Sequence, residues 1–435
     1  LLLIPQTLQY RIFRGGCCVD AATTARLLLL AVALSLMAGM AQAAPLAVDP
    51  AAVDPAAQLA SRNPALLHKI AVFGHDDRRP PPKKFRRLRD AIGLFFNNQT
   101  STACSAFCVA GNVIATASHC LFKVNGKGSP RFSKFLFARR YGALQDYAQI
   151  EGGRSAAAQH IMVGSMHLSV RPPIDATDDW AFVRLAKPIC KRSVLPIRSL
   201  PSRALIKAAR NRHIFQLAYH RDYANWQLAY SRPCQIKHDY KSAGWNTIRN
   251  DFSHAEQLIL HDCDTGGASS GSPILLDGPA GASVVGINVG TYIQSNALIQ
   301  NGKVTRRFKA TTVANTAVSA MAFADKLAIF RSAKILNSAE NMKRLQKELH
   351  RHSLYNDKID GAYGRRTRNA IVAFERAEGL PVTGLASRKI LQRVSNTPSL
   401  APGLSRLYRH DRALQAATTG FFSRASRSQQ LGHNR

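Results

Sequence analysis

The sequence predicts a multidomain chain: an all-β domain of sandwich or barrel type, followed by a small all-α domain. From Ala71 to about Asp325, short β-branched or aromatic runs such as "NVIATAS", "DWAFVRL", "HIFQLAY", "EQLILHD", "SPILL" and "ASVVGINVG" alternate with Gly, Pro and Asn breaks, and each is of strand length. After "MAFADKLAIFRSAKILNSAEN" the apolar residues recur at three- and four-residue spacing through about Val394, the period of a helix. A length of 435 residues, 46% hydrophobic and 8% aromatic, allows more than one core.

The chain opens with a segment of another kind. "TTARLLLLAVALSLMAGMAQAAP" carries Arg26, an apolar run from Leu27 to Met37 and the small-residue cleavage pattern Ala41-Gln42-Ala43, the layout of a secretory signal peptide. The run is short for a bilayer span of about 20 residues, so no transmembrane segment is expected in the mature chain. The stretch before it has no initiator Met and reads as a misplaced translation start; residues 1–43 are thus an upstream extension plus signal peptide. Cys17 and Cys18 leave with it, and Cys104, Cys108, Cys120, Cys190, Cys234 and Cys263 remain, an even number that in an exported chain points to three disulfides. Residues 44–70, rich in Ala, Pro and Asp, read as a propeptide, and residues 397–435 as a basic, disordered tail.

Charge narrows the partners. The 59 Lys+Arg against 26 Asp+Glu leave a formal charge of +33, with dense basic stretches in the tail and in "RRPPPKKFRRLRD" at 78–90, so polyanions or anionic surfaces are the natural ligands. Nucleic acid is not expected, because the signal peptide removes the chain from that compartment and no helix-turn-helix, RNP or zinc-finger pattern occurs.

Three strings carry chemistry. "CDTGGASSGSP" (263–273) sets Ser270 in a Gly-rich turn that could aim two backbone amides inward beside one hydroxyl. "CSAFCVAGNVIATASHC" (104–120) ends a strand-like run at His119, and "DDWAFVRL" places Asp179 at the head of an apolar strand. A serine hydroxyl needs a histidine to take its proton and a buried carboxylate to orient that histidine, and His119, Asp179 and Ser270 make up such a set. Asp175 and Asp178 compete for the carboxylate role. No zinc-ligand spacing accompanies His119, and no metal or organic cofactor is implied.

Thr116-Ala-Ser-His-Cys120 resembles the T-A-A-H-C motif of trypsin-like serine proteases, Asp179-Trp-Ala-Phe-Val-Arg-Leu resembles their D-I-A-L-x-x-L strand, and Ser270-Gly-Ser-Pro273 their nucleophile turn. "AVFGHDDRR" followed much later by "CDT" is similar to the bacterial branch that includes glutamyl endopeptidases. The resemblance spans about 71–325 and implies a double β-barrel and a peptide or protein substrate. It makes Asp179, which heads the matching strand, the third member. It implies an oxyanion hole from the amides of Ala268 and Ser270, with Ala268 standing where the family usually has Gly. A Cys104–Cys120 bond bracketing His119 is implied as well; Cys234 is expected with Cys263, and Cys108 with Cys190. Two residues bear on the substrate pocket and leave its preference open. Asp264, six before Ser270, is where a pocket for Arg or Lys has its acid, although "CDT" recurs in the bacterial branch without that preference. Asn288 replaces a His of glutamyl endopeptidases, which counts against Glu.

The helical region, expected at 337–396 after a linker at 326–336, reads as three short helices punctuated by Asp360-Gly361 and Gly364, with Thr367 as an N-cap. Leu345, Gln346, Leu349, Tyr355, Ile359, Asp360, Gly361, Gly364, Thr367, Ala370, Ile371, Phe374, Gly379, Leu380, Thr383 and Gly384 follow the pattern of peptidoglycan-binding-like modules. The resemblance implies peptidoglycan, or another anionic envelope polymer, as partner. The expectation is thus a secreted or periplasmic serine endopeptidase held at the cell envelope. The alternative is a catalytically silent protease-fold protein acting as a cell-wall binding module, with Ala268 as its sequence support.

Overall fold

The computed structural model describes residues 72–97, 102–122, 132–139, 147–191, 193–224, 226–240, 244–294, 297–300, 303–307 and 311–398. The expected signal peptide, the propeptide and the tail from residue 399 onward lie outside them.

The short strands assemble into two curled antiparallel sheets. The first contains β1 (Ile92–Asn97), β2 (Thr102–Ala110), β3 (Val113–Thr116), β4 (Leu136–Arg139), β5 (Tyr147–Gln149), β6 (Ile161–Val163) and β7 (Ala181–Arg184), ordered β5-β4-β1-β2-β3-β7-β6. The second contains β8 (Ile214–Tyr219), β9 (Leu228–Ser231), β10 (Leu258–His261), β11 (Pro273–Gly278), β12 (Gly281–Gln294) and, after the hairpin β13 (Ala297–Gln300) and β14 (Lys303–Arg307), β15 (Thr311–Ser319); its order is β10-β15-β12-β11-β8-β9. Phe95, Phe107, Phe137 and Phe182 are fully buried in the core built on the first sheet. Strand β2 is buried along its whole length, and its Ser105 meets Tyr219 of β8. The two sheets therefore touch along β2.

Disulfides fasten the loops that leave these strands. Cys104–Cys120 ties β2 to the turn after β3, Cys108–Cys190 ties β2 to the segment after β7, and Cys234–Cys263 ties the segment after β9 to the residues after β10. Cys104–Cys120 is the pairing the resemblance implies, and the other two are the pairs expected beside it.

The segment 326–336, expected as a linker, holds a helix, α1 (Lys326–Ser332). Its period sets Phe330 against the first barrel, where the ring is fully buried and stacks on Phe182. Arg184 of β7 donates to the Phe330 carbonyl at 2.5 Å and to that of Ala333 at 3.3 Å, satisfying acceptors that a helix end leaves open. Three helices follow: α2 (Ala339–Arg351), α3 (Arg365–Ala377) and α4 (Arg388–Asn396). They close over a core of Met342, Leu345, Leu349, Ile371, Phe374 and Val394.

Ser338 and Ser387 cap α2 and α4 with their hydroxyls. Thr367 does not cap α3, whose N-cap is Gly364. Its hydroxyl instead turns inward to the Ala362 carbonyl, beside Gln346. The Gln346 amide nitrogen lies 3.0 to 3.3 Å from Tyr355, Asp360, Ala362 and Thr367, while its oxygen accepts from Gly361 N. Five motif residues thus meet in one node around the buried Gln346, a structural role that needs no ligand.

Candidate active site

His119 sits in a single 3-10 turn (Ser118–Cys120) directly after β3, held from behind by the Cys104–Cys120 bond. Asp179 follows another 3-10 turn (Ala176–Asp178) and precedes β7, and β7 pairs with β3 so that Thr116 faces Ala181. This register brings the acid to the histidine. Asp179 Oδ1 accepts from Ser118 Oγ at 3.0 Å and from the His119 amide at 2.9 Å, and Oδ2 lies 2.6 Å from His119 Nδ1. Both residues are buried, 4% and 1% exposed, so the pair works in low dielectric. With the carboxylate accepting at Nδ1, that nitrogen carries the proton and Nε2 is the basic one. Of the competing acids, Asp175 accepts from Ser169 N and Ser253 Oγ, and Asp178 is pushed above the usual carboxylate range by burial. Only Asp179 of the three contacts His119.

Ser270 arrives from the second sheet on the turn before β11. Gly271 has φ +82°, and a Cβ there would collide with Thr116 Oγ1 and the Ser105 carbonyl and lie 2.9 Å from Ala117 N. The turn is therefore pressed against the residues that lead into His119, and only Gly fits. Ser105, which nothing in its own string singled out, is the hinge point between the sheets. Its amide donates to the Ser270 carbonyl at 2.9 Å, its hydroxyl donates to the Ala268 carbonyl at 3.0 Å, and Tyr219 N donates to that hydroxyl at 2.9 Å.

Ala268 has φ +72°, the left-handed region a side chain disfavours by about 1 to 2 kcal/mol. The amides of Ser269, Gly271 and Ser272 donate to Gly266 O, Asn288 O and Ser269 O, whereas those of Gly267, Ala268 and Ser270 have no such backbone acceptor among the described residues. Asn288 braces the turn from β12: its Nδ2 lies 3.2 Å from both Ser269 O and Ser269 Oγ, and its Oδ1 lies 3.2 Å from His261 Nε2. Because Cys263 N donates to His261 Nδ1, the proton sits on Nε2 and points to Asn288. Burial holds His261 down to about 4, partly opposed by the bond to Asn288. Both ends of the Asn288 amide are thus engaged within the protein.

Asp264 is likewise 3% exposed, and both its oxygens are taken by backbone amides, of Phe73 at 2.9 Å and Asp77 at 2.8 Å. Burial raises its pKa and those amides oppose the rise. An acid so placed differs from the open pocket floor that its spacing from Ser270 brings to mind.

A cavity of about 90 Å³ opens beside Asp179, lined by Leu168, Ile174, Phe252, Val289 and Tyr292, with room for an apolar side chain. Among the described residues, Cys104, His119 and Cys120 are the one cluster whose donor atoms converge as metal ligands would, but the two sulfurs are bonded to each other and the set offers a single imidazole.

Two curled antiparallel sheets, with a buried His–Asp pair on one and a serine turn on the other, define the architecture of trypsin-like serine proteases. The chain belongs to the trypsin family: residues 89–312 match the family model described as Trypsin. Residues 338–394 match the model described as "Putative peptidoglycan binding domain". No curated protein matches. Among solved structures, the chain is similar to a Glu endopeptidase in complex with MPD, at 15% identity and a TM-score of 0.39, covering 60% of this chain and 98% of that one. It is also similar to the thermostable serine protease AL20 from an extremophilic microorganism, at 19% identity and a TM-score of 0.32, covering 54% and 91%.

Proposed function

We propose that this trypsin-family serine protease is an exported endopeptidase that cleaves peptide bonds through a His119–Asp179–Ser270 triad and is held at the cell envelope by its helical module. The observation that carries the reading is the Asp179 carboxylate gripping Ser118 and His119 while the Ser270 turn is pressed onto Thr116 and Ala117. In this scheme Ser270 Oγ attacks the carbonyl carbon and its proton passes to His119 Nε2, with Asp179 stabilising the imidazolium. The amides of Ala268 and Ser270 receive the oxyanion. His119 then protonates the leaving amine, and water repeats the sequence on the acyl-enzyme. Ala268 already adopts φ +72°, so its Cβ is compatible with the turn, and this favours activity over a silent scaffold.

Three disulfides support an oxidising compartment outside the cytoplasm. Among the described residues no helix is long and apolar enough to cross a membrane. Envelope attachment is supported by the matched module and by a cleft of about 1390 Å³ between it and the loop after β6, lined by Arg365, Arg366 and Arg376, with Arg368 turned onto the protease backbone. Guanidinium groups there suit the carboxylates of an anionic wall polymer.

Labelling of the oxidised chain with a fluorophosphonate tests the chemistry. The unsubstituted protein should react, and Ser270→Ala and His119→Ala should not; an unlabelled, folded chain would refute the proposal. Sedimentation of residues 337–396 with purified peptidoglycan tests attachment, against a scrambled helical bundle of equal charge. Equal retention of the two would reduce attachment to electrostatics.

A further inference from the structure

The surroundings of Asp264 assign it to architecture. Both oxygens face the segment 72–79, whose Phe73 and Asp77 amides lie 191 and 187 residues away in sequence. That segment reaches the same loop a second time. The Arg78 guanidinium is gripped by Asp76 and Asp222, its side chain only 3% exposed. A Cβ on Gly266 would lie 2.8 Å from Arg78 Nη1 and collide with Asp222 Oδ1. Gly266 N donates to His220 Nδ1 at 3.0 Å, and Arg221 N donates to the Gly267 carbonyl at 2.8 Å. Residues 264–267, which run directly into Ala268, are thus boxed between segment 72–79 and residues 220–222. Beyond the box, Arg79 and Tyr230 exchange backbone hydrogen bonds of 3.1 and 2.7 Å, anchoring the segment to β9.

A left-handed alanine holds its shape only when its neighbours over-determine it. Two amide bonds to a buried carboxylate are charge-assisted and directional, the kind of contact that can impose such a turn. We propose that Asp264 is a positioning residue: it clasps segment 72–79 against the Asp264–Gly267 loop, and the clasp fixes the Ala268 turn that presents the two amides behind Ser270. This rests on the reading of Ser270 as nucleophile. It assigns both Asp264 oxygens to backbone amides of the chain rather than to a substrate's basic side chain, and it makes the alignment of the oxyanion amides depend on a segment far away in the chain.

The experiment uses the full chain and three variants. Asp264→Asn keeps the shape and gives up one acceptor, Asp264→Ala gives up both, and Phe73→Pro deletes a donor without touching the loop. Fluorophosphonate labelling rates, kcat and KM over peptides varied at the residue before the scissile bond, and amide hydrogen exchange across 72–79 and 264–271 are read on each. The clasp predicts labelling and kcat lowered on the order of ten-fold in Asp264→Asn and Phe73→Pro, and on the order of a hundred-fold in Asp264→Ala. KM and the order of substrate preference should stay unchanged, and exchange should accelerate from Gly266 to Ser270. A loss confined to Arg and Lys substrates would return Asp264 to the pocket and overturn the proposal, as would unchanged exchange in both Asp264→Asn and Phe73→Pro. If the unsubstituted chain fails to label, the nucleophile reading falls, and the exchange measurements still decide the clasp: acceleration supports it and its absence refutes it.

Discussion

Ser105 Oγ donates to the Ala268 carbonyl and accepts from Tyr219 N, so Ser105→Ala deprives two backbone groups on the second sheet's side of the interface of a partner. A loss of about 2 kcal/mol is expected, read as a lower urea midpoint. Ala268 gives a prediction of the other sign. Releasing a side chain from φ +72° should stabilise Ala268→Gly by up to about 1 kcal/mol, while Ala268→Val should lose more than that; melts of both in a Ser270→Ala background avoid self-digestion. Asp179→Asn should leave the fold intact and lower kcat by roughly a factor of 10⁴, since an amide can present its N–H to Nδ1 and stabilise the wrong tautomer. The strings around His119, Asp179 and Ser270 were readable because each carries its own turn and strand chemistry, and Asp179 is distinguished from Asp175 and Asp178 by the apolar alternation that follows it. Ser105 and Asp264 were not readable in the same way. Their partners lie 163 and 191 residues away, at distances in sequence where no local period reports contact.

At the scale of elements, the six quoted strand-like runs correspond to β3, β7, β8, β10, β11 and β12, since alternation with turn residues is a local property. The helix α1 was hidden in an expected linker because its burial depends on Phe182 and Arg184 of β7 rather than on its own composition. The second sheet carries a pH dependence of definite sign. His261 is held down to about 4 and His220 to about 3, both chiefly by burial. Between those values and the ordinary 6.5, the unfolded chain binds protons that the folded one refuses, so stability present above pH 6.5 is lost as pH falls toward 4. Burial raises Asp178, Asp262, Asp264 and Glu375, which acts in the opposite sense in the acid range. The histidine contribution is therefore isolated by difference: urea midpoints at pH 7, 5.5 and 4 should fall less steeply in His261→Gln than in the unsubstituted chain.

For the molecule as a whole, the boundary between protease and module is a packed one. Phe330 is fully buried beside Phe182 and Phe323, and Arg368 of α3 donates to the carbonyls of Val163 and Gly164 at 2.7 and 2.9 Å. Residues 72–325 alone should be less stable than residues 72–336 by about 3 kcal/mol, the price of removing a buried phenylalanine, and thermal melts of the two check it. The existence of two domains was legible in the change of period near Asn337, whereas their mutual grip was not, because it is made by single arginines reaching backbone carbonyls. Gly164 N in turn donates to the Trp180 carbonyl and Ser165 N to that of Asp178, so the strand end that Arg368 holds flanks Asp179 on both sides. The consequence is one of reach. If the helical module is the envelope anchor proposed above, a protease on such a mount would not swing on a tether to sweep the surrounding volume; it would meet only those chains that pass across it in one attitude to the wall, and cut where the wall itself brings them.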